Sequence, residues 1–219
     1  MTHRLLLGSL LALLLTGPSA ADAQAPNRAV TPAPGKPKEI GPFNFTPTVA
    51  EMDFDGFLAK VIVFKDGQLR RHVTLPQGWV AAGSPNELYL TNPKYPDARI
   101  TLRLSTLEAP AKFDGPWIEA TSPLILGGLP KDSQLQKIAN VSPNVWARQG
   151  AQSIEFKTTF DRIGRRFSTA WLFIRLADGR FLEVVYSSPE DKFIEVRKAA
   201  IDMLDGWELH LDKNQTVVR

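Results

Sequence analysis

Cysteine is missing from this chain of 219 residues, and histidine occurs only three times. Without Cys there is no disulfide, no thiol nucleophile, no cysteine metal site and no lipid attached through an N-terminal Cys. His3, His72 and His210 form neither a His-x-His nor a His-Glu-x-x-His pattern. We therefore expect no histidine metal site, and an ordinary hydrophobic core must stabilise the fold.

Catalytic motifs are also missing. The chain has no Gly-x-Ser-x-Gly elbow, and the pair Gly127-Gly128 is too isolated to hold a phosphate. Glu51, Asp53 and Asp55 alternate, but they lack the looped spacing that wraps a calcium ion, so we expect solvated edge residues. The sequence thus predicts no catalytic residue, no cofactor and no metal. It predicts a protein that is not an enzyme, with an unrecognised hydrolase as the least favoured alternative.

The charge balance is modest. The net charge is +3 and no long run of Lys or Arg is present. This balance indicates a solvated surface with a mild attraction to anionic envelope surfaces, and no nucleic-acid partner.

Long apolar runs are limited to the beginning of the chain. Arg4 precedes the apolar stretch from Leu5 to Leu15, and Ala21-Asp22-Ala23 fits a small-x-small cleavage pattern. Eleven apolar residues are too few to span a bilayer, so residues 1–23 are predicted to be a secretory signal peptide. We expect an exported protein, periplasmic or extracellular, that does not span the membrane.

Proline marks the next boundary. Residues 24–48 contain six prolines and few core-forming residues, which predicts a flexible linker. Phe43 and Phe45, near its end, are candidates to dock onto the domain. The domain itself is expected over residues 49–212, with a short tail over 213–219.

Several short strands are predicted in the first half of the domain. Leu58–Phe64 and Gln68–Leu75 flank the dipeptide Asp66-Gly67 and favour a hairpin. Further strands are expected over Val80–Ala82, Glu87–Thr91 and the alternating stretch Arg99–Ser105, with a loop over Asn92–Asp97.

Residues 107–149 contain both helix-favouring and helix-breaking residues. Asp114 is placed to cap a short helix that carries Trp117 and Ile118, with Pro116 in its first turn. Pro123 and Gly127-Gly128 interrupt any longer helix, and Lys131–Ala139 favours one or two further helical turns. We expect broken helices and loops over one face of a sheet.

The clearest fold signal is a three-strand meander between Ala151 and Tyr186. If Asp178-Gly179 forms a two-residue turn, Trp171 faces Tyr186 across the ladder. The preceding turn, within Asp161–Arg165, has either two or four residues. One face is then apolar on all three strands and the other on two of them, so the sheet needs cover on both sides.

A closing helix is expected to supply part of that cover. Ser188 is a suitable N-cap, and Pro189 suits the first helical position. Apolar residues then recur at helical spacing: Phe193, Val196, Ala200, Leu204 and Trp207. The predicted class is α+β, an antiparallel sheet with helices on both faces in a three-layer α/β/α sandwich.

This order of elements resembles the PsbP-like group, which includes PsbP, Mog and DcrB. The motif Leu75-Pro-Gln-Gly-Trp79 resembles the opening of that group, and the alternating strand, helical middle, aromatic meander and final helix follow it. The resemblance covers roughly residues 68–210 and implies an α/β/α sandwich and a non-enzymatic binding or assembly role. It transfers no functional residue, and it does not account for the hairpin at Leu58–Phe64.

Two binding hypotheses follow from the meander. Arg162, Arg165 and Arg166 crowd the tip of its long hairpin and form either a solvated turn with local pairing or a contact with an anion or an envelope protein. The second hypothesis is a carrier, in which aromatic residues on one sheet face bind a small apolar ligand instead of forming core. The residues proposed for that face are Phe156, Trp171, Phe173 and Tyr186. The sequence does not indicate an oligomeric state.

Overall fold

The computed structural model describes residues 42–54, 56–67, 69–148 and 150–206. These residues form ten strands and two α-helices. The strands are β1 (Phe43–Phe54), β2 (Phe57–Asp66), β3 (Leu69–Thr74), β4 (Val80–Gly83), β5 (Glu87–Asn92), β6 (Tyr95–Leu104), β7 (Gln134–Pro143), β8 (Gln152–Arg162), β9 (Arg165–Arg175) and β10 (Phe181–Pro189). The helices are α1 (Gly115–Gly127) and α2 (Phe193–Asp205). The predicted signal peptide, Trp207 and the tail lie outside the described residues.

Two antiparallel sheets organise these strands. The larger has seven strands in the order β4-β5-β6-β10-β9-β8-β7, and the smaller has three in the order β1-β2-β3. The larger sheet contains the predicted meander as its neighbouring strands β8, β9 and β10. The class is therefore α+β, a mostly antiparallel protein with two helices.

The small sheet begins earlier than the sequence suggested. Strand β1 starts at Phe43, inside the stretch predicted to be linker, and pairs with β2 on both sides of an irregularity between Asn44 and Thr48. Phe43 and Phe45 are buried, as their predicted docking requires. The Phe45 amide also donates to the carbonyl of Pro85, which lies between β4 and β5. Burial of these two rings accounts for the strand structure at residues 43–48.

The predicted pairing between β9 and β10 is wrong by one residue. Trp171 faces Val185, and Tyr186 faces Ala170. The connecting loop has three residues, 177–179, because Leu176 and Arg180 still pair through the Leu176 amide, and Gly179 takes the left-handed conformation with φ 87°. An odd loop length moves every β10 side chain to the opposite face, since side chains alternate along a strand.

Two clusters of buried side chains lie on the two faces of the larger sheet. One contains α1 residues such as Ile125 together with Phe156 and Phe173. The other contains α2 residues together with Leu172, Tyr186 and apolar side chains of the small sheet. Apolar burial on both faces follows from the alternation on β9, where Ser168–Ile174 are all buried.

The segment between β6 and β8 departs most from expectation. Asp114 does cap α1, accepting a hydrogen bond from the Trp117 amide at 3.2 Å. The helix nevertheless continues through Pro123, which is exposed and so keeps its ring away from the packed face. The helical turns predicted over Lys131–Ala139 are wrong: residues 134–139 belong to β7, which pairs with β8, and residues 131–133 form a turn before it. Two register shifts in β7 disturb its alternation and hide the strand signal.

The start of α2 also differs. Ser188 is not the cap, because β10 continues to Pro189 and Ser188 pairs with Ser168. A short 3-10 turn, Glu190–Lys192, then leads into α2. The predicted apolar stripe is confirmed within the described residues, where Phe193, Val196, Ala200 and Leu204 are all buried. Each large member contributes roughly 1.5–3 kcal/mol before ordering costs.

A buried ion cluster joins the two sheets. Asp66, at the end of β2, is 3% exposed and accepts a hydrogen bond from Arg71 Nε at 2.6 Å. Arg180, which follows the β9–β10 loop, also binds Asp66 and donates from Nε to Asp178 at 2.9 Å. The Arg180 guanidinium lies 4.0 Å from the centroid of the Phe43 ring. These contacts fix the small sheet to one end of the large one.

Candidate partner-binding site

The hairpin between β8 and β9 ends in an unusual two-residue turn. Arg162 pairs with Arg165, so the loop consists of Ile163 and Gly164, the shorter of the two predicted lengths. Both loop residues have positive φ, 50° and 68°. Two-residue hairpin loops of this kind favour Asn-Gly, because a β-branched residue resists the left-handed conformation at a cost of roughly 1–2 kcal/mol. Ile163 is nevertheless there, and 85% of its surface is exposed.

A second strained apolar residue lies beside this turn. Leu135, in β7, also has a left-handed backbone, with φ 49°, and is 71% exposed. The preceding residue, Gln134, pairs with Asp161 on β8, and the register then shifts before Lys137. Leu135 is therefore in the strand adjacent to the hairpin tip.

The three predicted arginines are all at this tip, and each has a carboxylate nearby. Arg162 Nε donates to both oxygens of Asp132, at 2.9 and 2.8 Å. Arg166 Nε donates to Asp161 at 2.9 Å. Within the described chain, the terminal nitrogens of Arg162 and Arg166 make no hydrogen bond. The terminal N–H groups of these two guanidinium groups can therefore donate hydrogen bonds to an external oxyanion.

Arg165 is held more loosely. Its terminal nitrogens lie 3.3 Å from Asp97 and 3.9 Å from Asp191, and these three side chains are each more than half exposed. Exposed pairs of this length contribute little to stability. The arginines therefore pair with nearby carboxylates, as the hypothesis of a solvated turn with local pairing requires. These pairs do not occupy all the guanidinium nitrogens, so the hypothesis of a contact with an anion or a partner also stays open.

Electrostatics at the tip follow from these contacts. The hydrogen bond from Arg162 holds the pKa of Asp132 below its ordinary value. For Glu190, just before α2, burial would raise the pKa, but hydrogen bonds from Ser168 and Lys157 outweigh it and the pKa is lowered. Both carboxylates are thus charged at neutral pH, and each lowers the local positive charge without removing it.

A groove of about 600 Å³ opens at the tip. Its lining combines three guanidinium groups, two carboxylates and one exposed apolar side chain. The lining residues are Asp132, Gln134, Asp161, Arg162, Ile163, Gly164, Arg165 and Arg166. Its size suits a small ligand or head group, and its chemistry suits an oxyanion attached to an apolar body.

The aromatic face proposed for a carrier is packed. Phe156, Trp171 and Phe173 lie together, and all three are at least nine-tenths buried. The Trp117 ring of α1 covers them, with its centroid 5.9 Å from that of Phe156 and 5.6 Å from that of Phe173. Such edge and tilted ring contacts are those of a core. Burial under α1 therefore gives the carrier hypothesis no support.

Tyr186 does not belong to that face. It lies in the cluster beneath α2, where its ring stacks on Phe193 at 5.9 Å. Its hydroxyl donates to Glu155, which also accepts from Arg197 Nε at 3.1 Å. Tyr186 thus satisfies a buried carboxylate, and grouping it with Trp171 was a consequence of the wrong register.

A second groove, of about 410 Å³, adjoins the motif that carried the family resemblance. Its lining includes Gln77 and Gly78 of that motif, Tyr95, and Glu195 and Lys198 of α2. The Tyr95 hydroxyl donates to Glu195 at 2.5 Å. Sequence reasoning missed this groove, because Tyr95 and Glu195 are 100 positions apart and nothing local in the sequence links them.

Two of the three alternating carboxylates lie on β1, and the third, Asp55, lies outside the described residues. Glu51 and Asp53 are exposed on β1, and the described residues include no group of three or more His, Cys, Asp or Glu side chains that could hold a metal ion. Within the same residues, no helix is long and apolar enough to cross a membrane. The arginine tip thus remains the predicted site with the most distinctive geometry.

No family model and no curated protein sequence matches the chain. Among solved structures, the chain is similar to the cyanobacterial PsbP of Synechocystis, with 13% identity, a TM-score of 0.47, and coverage of 73% of this chain and 98% of that one. It is also similar to a Pseudomonas aeruginosa protein of unknown function described as a putative regulator, with 12% identity, a TM-score of 0.43, and coverage of 73% and 97%. A third is the Ran-binding protein Mog1p of Saccharomyces cerevisiae, with 11% identity, a TM-score of 0.39, and coverage of 74% and 93%.

These neighbours include PsbP and Mog, the proteins that the sequence resemblance named. The predicted resemblance to the PsbP-like group is thereby confirmed. At such identities and TM-scores the likeness carries no argument about function, which must be argued from the site.

Proposed function

We propose that this protein is an exported, non-enzymatic binding or assembly protein of the cell envelope, which contacts another envelope component through the β8–β9 hairpin tip. One observation carries the proposal: Ile163 is held in a left-handed conformation at the apex of the hairpin and is 85% exposed. A turn selected only for stability would have Asn there. Strain at an exposed apex is typical of a contact site.

The surrounding charges support the same site. Arg162, Arg165 and Arg166 flank the apex, and arginine is enriched at protein contact surfaces because its planar fork combines charge with apolar stacking. The terminal nitrogens of Arg162 and Arg166 give the tip oxyanion-binding capacity. An apolar apex flanked by three arginines is suited to binding a partner rather than to catalysing a reaction.

Export and the three-layer arrangement belong to the proposal as well. Export is supported by the signal-like residues 1–23, with the periplasm or the exterior as the destination. The three-layer α/β/α sandwich is supported by the two core clusters, one with α1 side chains and one with α2 side chains.

Site-specific photo-crosslinking tests the proposed contact. A photoreactive amino acid replaces Ile163 in protein expressed in its natural host. In a matched control variant it replaces Leu58 on β2, which is 67% exposed. We expect light-dependent adducts with envelope protein or lipid from position 163 and few from position 58. Equal adduct yields from both positions, or none from position 163, would remove the hairpin tip from the proposal. Intact mass of the exported protein tests cleavage after Ala23.

A further inference from the structure

We infer that the component contacted by the hairpin tip is a membrane surface that contains anionic phospholipid. The inference rests on the proposed function, since it assumes that the tip is the contact site. It names the partner by its chemistry: lipid phosphates bind the arginines, Ile163 enters the boundary between head groups and acyl chains, and Leu135 lies among the head groups.

The order of side chains along the hairpin matches the order of layers in a bilayer. Ile163 is at the apex, Arg162 and Arg165 are one residue behind it, and Arg166 is two residues behind it. With a rise of about 3.3 Å per residue, the arginines lie roughly 3–7 Å behind the apex. An apolar element that binds a bilayer surface enters it by about 5–10 Å. The guanidinium groups would then be level with the phosphates.

Leu135 gives the tip a second apolar contact. Because Gln134 pairs with Asp161 and Lys137 with Thr159, Leu135 is between two and four residues behind the apex, just behind the level of Arg166. Its side chain is 71% exposed although its backbone is left-handed. Two large apolar side chains, one in the β8–β9 loop and one on the neighbouring strand β7, are thus exposed at the same end of the sheet, where neither contributes to the core.

The arginines keep the capacity to bind phosphate despite their local partners. Asp132 and Asp161 engage only the Nε atoms of Arg162 and Arg166. The terminal nitrogens, which make the planar fork suited to phosphate, have no hydrogen bond among the described residues. The groove of about 600 Å³ between these groups can accommodate a head group.

The exposed apolar apex favours a lipid surface over a protein partner. A protein would need a pocket deep enough for Ile163, with carboxylates at its rim and a second apolar contact for Leu135. A bilayer provides apolar depth beneath a layer of phosphates at every point of its surface, and a net charge of +3 brings the chain towards it.

Vesicle flotation tests the inference. The probe is vesicles of phosphatidylethanolamine with about one third phosphatidylglycerol, compared with pure phosphatidylcholine, since basic residues add affinity only for anionic surfaces. The protein is purified after export, and intact mass shows that the predicted signal segment is absent. We expect binding to the anionic vesicles at low salt, and weaker binding at high salt because the charges are screened.

Two tip variants and two matched controls locate the contact. Ile163→Asn should reduce binding by about tenfold or more, because the apolar apex is lost. Arg162→Gln combined with Arg166→Gln should reduce it by about thirtyfold, from two lost charges near an anionic surface. Leu58→Asn on β2 and Arg148→Gln, whose side chain is 55% exposed and pairs with Asp205, should bind like the wild type.

Every outcome of the flotation assay decides the inference. It is overturned if wild-type protein floats no better with anionic vesicles than with phosphatidylcholine, or if the tip variants bind as well as the controls. A protein adduct from position 163 together with absent vesicle binding would leave the proposed function intact and replace the lipid with a protein. If the photoreactive residue at position 163 gives no adducts, the proposed function itself is contradicted.

Discussion

Strand β9 connects two turns whose charged residues serve opposite purposes. At its first end, the Ile163-Gly164 turn exposes an apolar side chain and arginines that are 40–56% exposed at their side chains. At its other end, Arg180 turns inward to Asp66, whose side chain is 2% exposed. Both ends have Arg–Asp pairs, but only one end buries them.

Burial accounts for the difference. An ion pair in water contributes little because both ions are already hydrated. A buried charge that loses its partner is strongly destabilising, because it remains without hydration. The Asp66 cluster therefore holds two sheets together, whereas the arginine tip is free to exchange its partners for an external oxyanion.

The largest expected effect is at the buried end. Asp66→Asn leaves Arg71 and Arg180 without their shared carboxylate, and we expect a loss of about 3–5 kcal/mol in the free energy of unfolding. Urea unfolding followed by intrinsic fluorescence measures it. Asp132→Asn is the control at the exposed end, and it should leave the midpoint almost unchanged. Similar losses in both variants would abolish the contrast between the two ends.

A smaller effect of opposite sign is expected at the tip. Ile163→Asn should raise the free energy of unfolding by about 1 kcal/mol, because Asn accepts the left-handed conformation that isoleucine resists. Ile194→Asn is the matched control: Ile194 is 75% exposed but lies in α2, so no strain is relieved. If thermal melting shows no gain, or an equal gain in the control, the turn is not strained.

The smallest effect concerns acid. Burial would raise the pKa of Asp178, but hydrogen bonds from Arg180 outweigh burial and lower the pKa. Its contribution is thus present above the unfolded value of about 3.9 and is lost as the pH falls through the lower folded pKa. The stability difference between wild type and Asp178→Asn should shrink below about pH 4. A constant difference from pH 6 to pH 3 in urea unfolding would contradict this linkage.

Local signals predicted where the three arginines lie but not their neighbour on β7. The three arginines adjoin a turn that Gly164 permits, and strands on both sides have clear alternation, so the tip was visible in the sequence. The contribution of Leu135 was not, because β7 has two register shifts and lacks a strand pattern. Its pairing with β8 is a long-range contact that residue preferences within β7 do not express.

The carrier hypothesis failed to gain support for a related reason. Whether aromatic residues on a sheet face form core or pocket depends on what covers them, and the covering residue, Trp117, is far away in sequence. The error for Tyr186 arose from loop length. Asp178-Gly179 fits a two-residue turn, but Leu176 is buried and Arg180 is drawn to Asp66, and these contacts favour three loop residues.

The sequence by itself determined the strands of the meander, the amphipathic stripe of α2, the capped start of α1 and the crowding of arginines at one turn. These features depend on residues close together in the chain, where alternation, helical spacing and capping act directly. Only the tertiary structure decided which face each β10 side chain occupies, that residues 134–143 form an edge strand, and that one group of arginines is buried while the other is exposed. These outcomes depend on contacts between distant segments, whose free energies are gained only when the chain is folded.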